Sequence, residues 1–106
     1  MVKVSRLEDF VDEEVVDRRG RTIGLLACYW ESTSGHLFLG IKPSGQDLVR
    51  VVPGADAELD EYQSWVRVGF DTALIKAAPV FDCDEELRPK LEHAANEHFG
   101  ISEQHV

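Results

Sequence analysis

The sequence predicts a mainly β fold, a small antiparallel β-barrel of about six strands with a short helix and a C-terminal amphipathic helix. Three observations carry this reading. The stretch VVDRRGRTIG, Val15 to Gly24, sets two short apolar runs around a D-x-x-G turn. There Asp17 can start a type I turn and Gly20 can supply the positive φ that closes it with a bulge. Next, LLACYWESTSGHLFLGI reads as two strands of branched and aromatic residues around a hydroxyl-rich loop. Finally, after further short strands, one stretch near the C-terminus carries a sustained helical period.

The chain has 106 residues, enough for one domain that buries a core without metals or disulfides. It divides into an acidic lead-in (1–13), a barrel (14–80) and a helical tail (81–106). The lead-in places Leu7, Phe10 and Val11 among acidic residues, which fits either one helical turn packed on the barrel or an acidic strand. Thr22 to Trp30 is the strongest strand, and His36 to Lys42 follows it. A plain hairpin would set Tyr29 opposite Leu37, Ala27 opposite Leu39 and Leu25 opposite Ile41, making the core face. The other face then collects Leu26, Cys28, Trp30, His36, Phe38 and Gly40 and is apolar enough to need a cover.

Leu48 to Val52 reads as the fourth strand, stopped by Pro53-Gly54. Ala57 and Leu59 alternate with Asp56, Glu58 and Asp60 as in a half-buried edge strand. After a polar turn, Trp65 to Phe70 points Val66, Val68 and Phe70 to one side. Asp71 can cap a short helix over Thr72 to Ala77, ended by Pro79. Pro89 suits a first helical position, and Leu91, Ala94, Ala95, His98 and Phe99 form a stripe stopped by Gly100. That stripe suits the Trp30 and Phe38 face, either within one chain or across a homodimer.

Twenty acidic against eleven basic residues give a net charge of -9, which repels phosphate backbones and disfavours direct nucleic-acid binding. Arg18, Arg19 and Arg21 read as a solvated hairpin tip. No apolar run approaches the roughly 20 residues needed to cross a bilayer, and the first residues lack the centre of a signal peptide. A cytoplasmic location without membrane insertion is therefore expected, with Cys28 and Cys83 as reduced, unpaired thiols.

The order of these features resembles the PRC-barrel family, the domain shared by the cytoplasmic part of the photosynthetic reaction-centre H subunit and the C-terminal half of the ribosome maturation factor RimM. The matching pieces are VVDRRGRTIG, LLACYWESTSGHLFLGI, VRVVP, WVRVGF and DTALIKAAPVFDCDEELRP, spanning Glu14 to about Pro89. The resemblance implies a docking or assembly module without family-wide catalytic residues. With neither a membrane anchor nor a preceding partner domain in view, a stand-alone member is expected.

Candidate chemistry is sparse. Asp56, Glu58 and Asp60 share one face of the edge strand, a set of oxygens that suits a hard cation or a basic partner. The glycine and glutamate of a calcium loop are missing, so charges that deter edge-to-edge pairing are the simpler reading. Asp82, Asp84, Glu85 and Glu86 precede the final helix, where its dipole alone favours acids. His93 and His98 lie about 140° apart around a helix and do not share a ligand face. Ser32, Thr33 and Ser34 near His36 lack a nucleophile elbow. The expectation is a chain with no cofactor and no enzymatic activity, a protein-interaction or assembly adaptor. Trp30, Phe38 and Trp65 are its candidate partner contacts. The alternative is a small-molecule or ion-binding regulatory domain using the barrel end or the Asp56–Asp60 carboxylates.

Overall fold

The computed structural model describes residues 4–32, 36–54, 57–86 and 88–100. The chain opens with α1 (Val4–Leu7) and a 3-10 turn (Glu8–Phe10), and then runs into β1 (Glu14–Val16), β2 (Thr22–Glu31) and β3 (Leu37–Lys42). Then come β4 (Val49–Pro53), β5 (Glu58–Asp60), β6 (Trp65–Arg67), α2 (Thr72–Lys76), β7 (Val80–Phe81) and α3 (Pro89–Phe99). The strands form one sheet in the order β5-β6-β1-β2-β3-β4-β7. All neighbours are antiparallel except β1 and β6, which run parallel.

The fold is thus mainly β with a short and a C-terminal helix, but the predicted closed, all-antiparallel barrel of six strands is an open, mixed sheet of seven. Its edges, β5 and β7, do not pair. β7 has two residues and is entered from Pro79, which has no N–H to donate, and β5 has three. Neither offers a ladder long enough to close the sheet.

The D-x-x-G turn forms as the sequence predicts. The Gly20 N–H donates to the Asp17 carbonyl at 2.9 Å, the Asp17 N–H to the Arg21 carbonyl at 2.8 Å, and Gly20 sits at φ 85°. The register slips between Val15 and Val16, which is the bulge such a turn brings. The β2–β3 register differs from the plain hairpin: Trp30 lies opposite Phe38 and Tyr29 opposite Leu39, and a second bulge falls between Leu26 and Cys28. An extra residue in one strand inverts the alternation beyond it. Leu26 therefore enters the core at 0% exposure while Leu25 turns outward at 43%, the reverse of the predicted faces.

One face of the sheet carries the main core, including Val15, Leu26, Leu39, Ile41, Val52 and Val66. Leu7 and Phe10 of the helical lead-in, Ile75 of α2 and Phe99 of α3 close over it. The opposite face of β2–β4 holds a smaller cluster of Phe38, Val51 and Ala95, flanked by Trp30, Phe81 and Leu91. α3 is therefore the cover that the sequence required, and it packs within the chain. Its buried stripe is Ala95, Asn96 and Phe99, with Ala94 turned to solvent, so the face is rotated from the predicted one.

Cys28 and Cys83 form a disulfide with Cα atoms 6.0 Å apart, which corrects the expectation of free thiols. Gly40 makes room for it: a Cβ there would lie 2.5 Å from Cys28 Sγ and 3.1 Å from the Trp30 ring. Sequence separation of 55 residues concealed the pairing, because only the packing of the β7–α3 connection onto β2 brings the two sulfurs together.

Candidate functional site

The sequence-derived contact residues separate into two places. Phe38 is fully buried beneath α3. Trp30, half-buried beside it, meets Phe81 edge-on at 5.6 Å between ring centroids, and its indole N–H reaches the Glu85 carbonyl at 3.4 Å. Both aromatic rings therefore serve the α3 interface. Trp65, half-buried on β6, lies opposite Asp60 of β5 and Glu14 of β1.

The β5–β6 hairpin tip is the more exposed feature. Asp60 accepts the Tyr62 and Gln63 backbone N–H groups on one carboxylate oxygen, each at 3.0 Å, an Asx turn that fixes the tip. Ser64 completes the turn at φ 56°. Tyr62 stands fully exposed on it, at 101%. Glu58 pairs across the ladder with Arg67, and Glu61 forms an ion pair with Arg6. Of the carboxylates expected to share a face, Asp60 is engaged by the turn and Glu58 stands opposite Arg67 on the ladder, while Asp56 lies outside the described residues. Among those residues no group of three or more His, Cys, Asp or Glu side chains is arranged to hold a metal ion.

A second place joins the first turn to the start of α2. Asp17 is buried, with one oxygen accepting the Arg19 and Arg21 N–H groups at 2.9 Å. The other accepts the Thr72 hydroxyl at 2.6 Å and the Thr72 N–H at 3.3 Å. Burial pushes its pKa up, but these hydrogen bonds outweigh burial and hold it below the ordinary 3.8. Asp71, predicted to cap α2, makes no side-chain cap. Its carboxylate lies instead 3.2 Å from Arg18 and 3.6 Å from Arg19, while Asp17, reaching from the first turn, satisfies the helix N-terminus.

Beyond the other end of α2 lies a cavity of about 320 Å³. Ile23, Ile41, Pro43 and Ile75 form its apolar walls, and Gln46, Arg50 and Lys76 supply its polar groups. Arg50 pairs with Ile41 across β3–β4, so it projects on the core side of the sheet, from the second position of the apolar run VRVVP. Its guanidinium donates from Nη1 to the Ala78 carbonyl at 2.7 Å, while Nε is buried without a partner. Sequence reasoning passed over Arg50, although a charged residue inside an apolar strand was the available signal.

No protein-family model and no curated protein matches this chain. Among the described residues no helix is long and apolar enough to cross a membrane.

Proposed function

We propose that this chain is a non-catalytic protein-interaction module related to the PRC-barrel family by its order of motifs, with its sheet left open, docking on a protein partner through the tip of the β5–β6 hairpin. The observation that carries this is the fully exposed Tyr62 on a turn pinned by Asp60. Tyrosine and tryptophan concentrate binding energy at interface centres, and a fixed tip loses little entropy on docking. Trp65 is the second aromatic of the contact, one residue beyond the turn. A net charge of -9 favours a partner surface rich in Lys and Arg. The order of strand and turn motifs from Glu14 to Pro89 supports the family reading, while the Cys28–Cys83 disulfide favours an oxidising setting over the reducing cytoplasm that free thiols would have suited.

A photo-cross-linking residue placed at position 62 tests it in the protein's own cells, with position 48 as the control, since Leu48 is also exposed at 44%. A discrete protein adduct from position 62, absent from position 48, is expected. Equal labelling from both positions, or none from position 62, overturns the docking site.

A second reading, a small-molecule-binding regulatory domain, is favoured by one observation. The cavity beside Arg50 has a volume of about 320 Å³, near the lower end of the range that holds small ligands.

A further inference from the structure

We infer that the cavity between β3, β4 and α2 is a binding site for a small organic carboxylate with a short apolar body; the inference rests on the ligand-binding reading of that cavity. Arg50 sits half-buried on the inner face of a core strand, with its Nε shut off from solvent and without a partner, so an anion that answers its charge would be favoured there. Its one protein partner among the described residues is a neutral carbonyl, that of Ala78. Among the described residues no carboxylate lines the cavity, although the chain carries twenty acidic residues. Lys76, at the end of α2, adds a second cation on the same wall without an acidic partner among the described residues. An anion entering the cavity gains from both cations, and the planar, multi-donor guanidinium favours a carboxylate.

The walls specify the remainder of the ligand. Three isoleucines and a proline offer an apolar lining that a fully hydrated inorganic anion would not match, whereas an aliphatic or aromatic body would bury against it. Gln46 contributes both a donor and an acceptor at the rim. The Ala78 bond holds the guanidinium in place before the ligand arrives, so little of the binding energy goes into ordering that side chain.

Chemical-shift mapping on the intact, isotope-labelled chain tests the site with hexanoate, isovalerate and benzoate, the matched neutral amides, and inorganic phosphate. At least one carboxylate is expected to shift the resonances of Ile23, Gln46, Arg50 and Lys76 together. Its amide should bind more weakly by roughly tenfold or more, as loss of a charge-assisted hydrogen bond implies. Phosphate should leave the isoleucine signals unmoved. Arg50→Gln should weaken the carboxylate by roughly tenfold or more. Lys76→Gln, at an exposed position where folding is not at risk, should weaken it by a smaller factor. Equal binding of carboxylate and amide would overturn charge selection while leaving a small-molecule site in place. Saturable shifts by phosphate alone would mean an inorganic-anion site. No shift at the cavity from any probe would overturn the ligand site and the reading beneath it together.

Discussion

Asp17 shows how much one residue can hold when its four acceptor contacts are divided between the neighbouring backbone and the distant Thr72. Two of its bonds close the first turn, and two reach Thr72, 55 residues away. Asp17→Asn keeps the shape but replaces one acceptor with a donor, so it should cost on the order of 2 kcal/mol at neutral pH by chemical denaturation. The pH dependence has a definite sign. Because the folded pKa lies below 3.8, the carboxylate's contribution is complete above that value. It is lost as pH falls through the lower, folded pKa, so the gap between wild type and Asp17→Asn should narrow in acid below about pH 4. A constant gap down to pH 2 would show that the charge contributes nothing. Gly40 makes the opposite kind of contribution, by what it lacks. Gly40→Ala would press a methyl group to 2.5 Å from Cys28 Sγ and should cost about 1–3 kcal/mol in the same assay.

At the scale of elements, α3 is attached at both ends by contacts of different kinds. Leading into it, the Cys28–Cys83 disulfide fixes the connection from β7. At its far end Phe99 packs against Phe70 with centroids 4.5 Å apart, and the His98 ring meets the Leu74 carbonyl at 2.8 Å. Between them Ala95 and Leu91 cover Phe38 and Val51. The disulfide closes a loop of about 55 residues, so its reduction by dithiothreitol should lower stability by about 4 kcal/mol through the entropy of the unfolded chain. Hydrogen exchange in α3 should quicken on reduction, with β1 and β6 changing least. Uniform quickening across the sheet would show that α3 and the sheet unfold as one unit.

For the whole molecule, the two proposed sites lie on different parts of the sheet. The hairpin tip extends from the β5 edge, while the cavity lies beside β3, β4 and α2, near the other end of the strand order. Their energetics should therefore be separable. Tyr62→Ala removes no buried contact and should shift stability by less than about 0.5 kcal/mol while weakening partner capture. It should leave carboxylate binding unchanged, because substitutions far apart with no shared partner act independently. A measurable change in carboxylate affinity in Tyr62→Ala would show that the sheet couples the two ends.

Strand positions, the first turn and the limits of α3 were legible in the sequence because each is set locally. Gly20 gives the turn its positive φ, Pro89 and Gly100 bound the helix, and alternation marks Val66 and Val68 as inward. The need for a cover over Trp30 and Phe38 was legible too, since it follows from counting apolar residues on a face. What only the tertiary structure decided depends on a position in space rather than along the chain. The bulge at Ala27 exchanged Leu25 for Leu26, β1 paired with β6 in parallel, the short edges β5 and β7 left the sheet open, and the cover closed within one chain. Cys28 met Cys83, Asp17 displaced Asp71 as the group serving α2, and Arg50 came to line a cavity with Lys76. Local rules fix φ, ψ and periodicity within a few residues. These contacts join residues tens of positions apart, and their geometry is set by how the whole sheet packs.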